Sequence, residues 1–469
     1  MPEHSLAYSQ DQPNALLLAL SDGMPICDGV DLGVHEEDEM WRIFYYRGSQ
    51  NLDQSLVMYF HSGWKIWSTY RQILTWHFGE PGRIGKILDF ASGYGRVTRF
   101  IVHDIPPERV WISDIYARGV DFQRQRFGVH GLVSTADPAD FRCGERFDAI
   151  LVSSLFSHLP ARTFLRWLRH LWSLLSPGGI LMFSVHDEAL LPAGHPGKGK
   201  LAARGLYFEE ESESSSLSKA QYGTTWVTER YVRDNLGRMA ANTRGLSVAR
   251  YPRGFASLQD LYVVVDRPGE DFSGLDVTGG VDGVLDQCSF AFPRQIHLSG
   301  WGVDRASSEP LREIRVRIDG QAVRSSTDFH PCPEAVALFP MENVQPVRWQ
   351  LTFDLPQGAD HTSALLTLAA VDAAGREHGM FEGPLHVALL RTARMGLLYM
   401  RIEHEAEMAR LCADPEARIE REVARLRANA EERIGVLETR IAAMRASRFW
   451  KMRDGWFALK RRLGLTNEI

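Results

Sequence analysis

Cysteine is scarce, with five in 469 residues (Cys27, Cys143, Cys288, Cys332 and Cys412), scattered and without CxxC spacing. That usage argues against a disulfide framework or a structural zinc site, and it fits a reducing compartment. Long apolar runs are missing too, none approaching the roughly 20 residues that span a bilayer as a helix. The opening MPEHSLAYSQDQPN has neither a basic n-region nor an apolar h-region, so no signal peptide and a cytoplasmic location are expected. The absence of GxxxxGK[ST] argues against a phosphate-cradling P-loop, and no His, Cys or carboxylate cluster has metal-ligand spacing. Positive charge is not in excess: 53 Lys and Arg stand against 59 Asp and Glu, a net charge of −6, so nucleic acid is not an expected partner.

What is present is a soluble globular composition, 44% hydrophobic and 24% charged, too long for one ordinary core. The organising stretch is Lys86-Ile-Leu-Asp-Phe-Ala-Ser-Gly-Tyr-Gly-Arg96, a strand end, a small-residue turn and the start of a helix. That is the opening unit of a doubly wound α/β sheet, whose ligands bind beyond the carboxyl ends of its strands. Alternating strands and helices follow. Val110–Asp114, Gly131–Asp137 and the apolar run Phe147–Ser154 read as strands two to four. A helix from Thr163 to Leu175 is stopped by Ser176-Pro-Gly-Gly179, and Ile180–Val185, Leu246–Arg250 and Leu261–Val265 complete the sheet.

Asp89, Asp114 and Asp137 each close a predicted strand, in order, along one edge of the crevice. An acid after the second strand is placed to accept hydrogen bonds from a ribose diol, and one after the third to accept from an adenine amino group. Each acid alone could equally cap a helix.

Residues 86–96, 110–114, 131–137, 147–158 and 174–185 together resemble the class I S-adenosylmethionine-dependent methyltransferases, with Ile87–Arg96 similar to their first motif and Leu174–Phe183 similar to their late motif. The resemblance implies a Rossmann-like sheet with S-adenosylmethionine as cofactor. By it, Gly93 and Gly95 face the methionine portion, Asp114 the ribose and Asp137 the adenine, with Asp89, Ala91 and Ser154 beside them. Ala91 stands where the family usually has glycine, and keeps the turn if its φ is negative. For a hydroxyl acceptor the reaction needs a base, and His158 and then His186, past strands four and five, are the candidates.

Around this core, residues 1–35 read as a loose arm and 36–266 as the catalytic domain. Its aromatic helical segment, 36–80, is placed as a lid over the sheet, with Tyr59 and Gly63 as candidate cofactor contacts. Residues 187–222, rich in Gly, Ser and Glu, read as an insertion or mobile loop, and 267–283 as a linker. From 284 to 390 the period changes to two: Ile314, Val316 and Ile318, then Leu351, Phe353 and Leu355, alternate with polar residues, as in an all-β sandwich. Apolar residues at 419, 423, 426, 430, 434, 437, 441 and 444 make a heptad seam within 394–446, so a coiled coil and homo-oligomer are expected. Residues 447–469 are basic and aromatic, the composition of an interfacial anchor at the inner face of a membrane. Such a tail after a coiled coil resembles those of bacterial enzymes that modify surface polysaccharides, and the sandwich resembles their Ig-like modules. The resemblance implies a saccharide hydroxyl as acceptor. A catalytically inactive scaffold for polysaccharide synthesis, or a methyltransferase of a small metabolite, also accommodates the sequence.

Overall fold

Near-continuous apolar strands build the centre of the protein. β1 (Ile87–Phe90), β2 (Val110–Asp114), β3 (His130–Val133), β4 (Phe147–Val152) and β5 (Leu175–Asp187) lie parallel in the order β3-β2-β1-β4-β5. The computed structural model describes residues 30–47, 52–240 apart from 193 and 212–216, 245–389 apart from 257, 276, 278–279, 292–293, 337–343, 360–363 and 386–387, and residue 434. Residues 1–29, the heptad seam of 394–446 apart from residue 434, and the basic tail of 447–469 therefore lie outside it. The chain divides into two compact units, Met1–Ala393 and Arg394–Ile469, of which the first is described below.

Beyond β5, the extension of that strand pairs in parallel with β7 (Thr224–Val227), which pairs with β6 (Leu206–Glu209). Lower down, β9 (Gln259–Val265) runs antiparallel to β5 and carries β8 (Ser247–Phe255) at the edge. Successive side chains of a strand point to opposite faces, so Ile87, Ile112, Leu151 and Met182 enter one core while Leu88, Ile150 and Phe183 enter the other. The first core is covered by α1 (Glu39–Arg47), α2 (Leu52–Phe78) and α3 (Thr98–Asp104), through residues such as Trp41, Trp67, Ile73 and Phe100. Continuing the helices in chain order, α4 (Ala117–Phe127) follows β2 and α5 (Ala161–Ser173) covers the second core through Phe164, Trp167, Leu168 and Leu171.

Four expectations change. Strand β3 ends at Val133, which leaves Asp137 in the loop beyond it. The described part of 187–222 is ordered structure: α6 (Lys198–Arg204) and β6 close a small core of Leu191, Leu201 and Trp226. The start of the linker is docked, with Phe272 stacked on Trp76 at 5.3 Å and Leu275 and Val277 buried in the first core. The arm, likewise, is held where it is described. Arg99 donates from Nη1 to the carbonyls of Asp31 (2.7 Å) and Gly33 (2.9 Å).

The second module is a sandwich of two four-stranded antiparallel sheets around one core that includes Ile296, Ile314, Trp349, Leu351, Leu366 and Phe381. Its first strand, β10 (Val281–Ala291), starts three residues before the expected boundary. There Asp282 accepts from Lys65 of α2 at 3.1 Å.

Candidate functional site

A cavity of about 350 Å³ opens beyond the carboxyl ends of β1, β2 and β4, where the strand order reverses. Its floor is the turn after β1. Ala91 and Ser92 donate their N–H groups to the carbonyl of Ser113, and Gly93 donates to Asp114 Oδ2 at 2.7 Å. Gly93 has φ +60, and a Cβ there would meet nothing within 4 Å, so the backbone is open on the cavity side. Gly95, at φ +82, is off the cavity wall. A Cβ on it would lie 2.4 Å from Phe127 Cε2, so this glycine serves the packing of α4 rather than a ligand. Ala91 has φ +62, in the left-handed region, contrary to the negative φ expected of it. Flanking hydrogen bonds hold the strain that glycine would avoid.

Two buried acids face this space. Asp89 accepts from Thr98 Oγ1 at 2.8 Å, while its Oδ1 has no hydrogen-bond partner among the described residues. Burial pushes its pKa from 3.8 up to about 7, with the Asp114 charge adding to the rise and the Thr98 bond opposing it. Asp114 accepts from the N–H groups of Gly93 and Tyr116. Burial nonetheless raises it to about 6. Asp137 lies at the cavity edge, half exposed, with both oxygens engaged by Arg166 at 2.5 and 2.6 Å. Ala139 N–H first, and then Arg166, hold it below the usual carboxylate range.

Arg96 also faces the cavity, and the sequence reading assigned it no role. Its Nη1 donates to Ser62 Oγ at 2.8 Å, and burial draws its pKa down while nearby Tyr59, Asp38 and Asp89 pull the other way. This half-buried guanidinium, with Asp38 and Asp89 as charged neighbours, has the fork geometry that pairs with a carboxylate. An arginine immediately after the second turn glycine was the available signal.

The lid contacts differ from expectation. α1 and the residues before it form the wall, through Asp38, Glu39, Met40 and Ile43. Tyr59 lies behind them, fully buried, its hydroxyl donating to Asp38 Oδ2 at 2.5 Å. Gly63 is a packing position, since a Cβ would fall 2.3 Å from the Arg96 carbonyl where α2 crosses the turn. Neither reaches the cavity.

At the other end stands His158. Its Nδ1 is 2.7 Å from the carbonyl of Gly223 and its ring stacks on Tyr222, centroids 4.6 Å apart and planes at 16°. A carbonyl can only accept, so Nδ1 carries a proton, and in the uncharged form of the ring the lone pair is on Nε2. Ser154, with φ +57, lines the cavity and donates its N–H to Ser184 Oγ. His186 is displaced from the site. Half-buried beside Trp226, it accepts at Nε2 from Gln259, and desolvation, reinforced by His158, holds its pKa down to about 3. It stays neutral and off the cavity wall, so it is not the base the sequence suggested.

Residues 88–181 match a protein-family profile described as a methyltransferase domain. Among solved structures, the plantazolicin methyltransferase BamL in complex with a triazolic desmethylPZN analog and SAH is 13% identical, the alignment covering 49% of this chain and 94% of that one with a TM-score of 0.32. The N-methyltransferase NodS from Bradyrhizobium japonicum WM9, in complex with S-adenosyl-L-homocysteine, is 15% identical over 49% and 100% of the two chains, with a TM-score of 0.30. Magnesium protoporphyrin IX methyltransferase from Synechocystis PCC 6803 is 18% identical over 48% and 93%, with a TM-score of 0.30. No curated protein matches the chain.

Proposed function

We propose that this S-adenosylmethionine-dependent methyltransferase methylates a neutral hydroxyl acceptor, and that the acceptor is a saccharide. The observation that carries the reading is His158, in the cavity wall past β4, whose Nδ1 is committed to the Gly223 carbonyl so that the uncharged ring has its lone pair on Nε2. When bound, the cofactor supplies a methyl group on a sulfonium, which an acceptor oxygen displaces in line, the C–S electron pair passing to sulfur. The residues present fit it. The orphaned Oδ1 of Asp89 takes the ammonium, Arg96 the methionine carboxylate and Asp114 the ribose hydroxyls. His158 Nε2 accepts the proton that the acceptor hydroxyl loses.

Support for a neutral acceptor comes from the wall around His158, where Thr163, Gln221 and Tyr222 bring hydroxyl, amide and aromatic groups. An aromatic face with hydrogen-bonding neighbours suits a sugar ring. The polysaccharide setting, self-association through 394–446 and lipid contact through 447–469 belong to the same proposal and rest on sequence pattern alone.

The test is methyl transfer from radiolabelled cofactor to a panel of neutral glycosides. His158→Ala is expected to lower turnover by about 10²–10⁴-fold, while calorimetry gives an unchanged cofactor affinity. Normal turnover in that variant would acquit His158, and transfer only to amines or peptides would remove the saccharide.

A further inference from the structure

The segment 187–222, read from sequence as an insertion or mobile loop, reaches the cavity. Ser218 closes a turn by accepting from the N–H groups of Gln221 and Tyr222 at 2.9 Å each, and β7 begins immediately after it. From there the chain grips the loop that carries His158. Gly223 donates its N–H to the His158 carbonyl at 2.9 Å, and its own carbonyl accepts from His158 Nδ1 at 2.7 Å. Thr225 donates its N–H to the Ser157 carbonyl and its hydroxyl to the Leu159 carbonyl, both at 2.7 Å. Main chain and imidazole of His158 are thus fixed by a single glycine, and Tyr222 lays its ring on that imidazole.

Gly223 has no room to be anything else. A Cβ would lie 2.1 Å from the Glu209 carbonyl and 2.7 Å from the Phe208 ring, so β6 clamps the turn from behind. Leu217, Gln221 and Tyr222 meanwhile face the cavity.

We infer that the turn 217–223 is the positioning element of the methyltransferase base: Gly223 sets the tautomer of His158, and Tyr222 sets the plane of its ring and walls the acceptor end. The inference rests on the reading of His158 given above. Tyr222 is a positioning residue, acting through the imidazole. The geometry separates the two ends of the site, since the cofactor end is built from the β1 and β2 turns and this end from the insertion. Changes in 217–223 therefore alter turnover and acceptor choice, and leave cofactor binding alone.

The test uses the full chain labelled with ¹⁵N-histidine, with the His158 signal identified by its loss in His158→Gln. Long-range ¹H–¹⁵N correlation is expected to show a single Nδ1–H tautomer at His158. An Nε2–H tautomer or an even mixture overturns the inference, whatever the acceptor proves to be. In Tyr222→Ala, kcat for the glycoside probe falls by about tenfold or more with cofactor Kd and melting temperature unchanged, and Tyr222→Phe, which keeps the stacked ring, restores it. An unaltered kcat in Tyr222→Ala also overturns it. Absence of methyl transfer in the native protein counts against the proposed function instead, while the tautomer measurement still decides the positioning role.

Discussion

Asp89 holds its proton more tightly in the folded protein than in the unfolded chain, its pKa rising from 3.8 to about 7. A raised carboxylate contributes stability that is complete below about pH 4 and lost as pH rises through about 7. A cationic ligand end reverses the preference by favouring the ionised form. Cofactor affinity is therefore expected to strengthen as pH rises from about 5 to about 8, with Asp114, raised to about 6, adding to the same trend. Titration calorimetry across that range checks it, and Asp89→Asn should flatten the profile. A flat profile in the native protein would remove Asp89 from the ligand. Ala91 presents the opposite economy, a side chain kept in a glycine conformation at φ +62. Ala91→Gly is expected to stabilise the fold by up to about 1 kcal/mol, the left-handed strain relieved less the added entropy of the unfolded chain. Chemical denaturation measures this, and a loss of stability would mean that the methyl group packs productively. The acids at the strand ends were legible because a carboxylate there follows from the strand pattern. The sign of φ at Ala91, the seclusion of His186 and the role of Arg96 were not, because each depends on what the next element does.

At the scale of elements, the insertion is secured by charge as well as by hydrogen bonds. Arg250 on β8 pairs with Asp187 at the end of β5 (2.9 Å), with Asp260 on β9 (2.6 Å) and with Glu229, the first residue of α7 (Glu229–Ala240). Asp260 is 1% exposed, and Arg253 is its second partner. Arg253 still pairs with Asp260 when Arg250 is removed, but Asp187, 9% exposed, loses its ion-pair partner, so Arg250→Ala is expected to destabilise by about 3 kcal/mol. A shift of the urea midpoint reports the effect, and a change below about 1 kcal/mol would show the cluster to be solvent-screened. These strands explain what the sequence hid. β6 and β7 have four residues each, too few for a period to stand out among Gly, Ser and Glu. They form because Leu201, Leu206, Trp226 and Val227 find cores to enter. The apolar, buried cores of β4, β5 and β9, residues 149–152, 180–183 and 261–265, are readable from sequence for the opposite reason.

Across the described part of the whole molecule, the two modules are fastened together rather than strung on a linker. Leu275 is 6% exposed in the methyltransferase core, so Leu275→Ala is expected to lower stability by about 2–3 kcal/mol. An open linker would tolerate it, and the melting temperature discriminates the two. The expected composition shift at 267 was real, but composition alone does not say whether a Pro- and Gly-rich segment crosses solvent or lies on a surface. The helix α2 carries the further consequence. Along its 27 residues, about 40 Å of rise, Ser62 holds Arg96, Lys65 holds Asp282 of the sandwich, and the Tyr70 hydroxyl lies 3.3 Å from Ser153 Oγ in the cavity wall. One rigid rod thus carries both the joint between modules and the supports of the ligand site. A chimera that exchanged the sandwich for another domain would leave Lys65 without its carboxylate on the very helix that aims Arg96. For anyone recombining such proteins, the natural cut does not fall between the two domains, and α2 must travel with the sandwich it was built against.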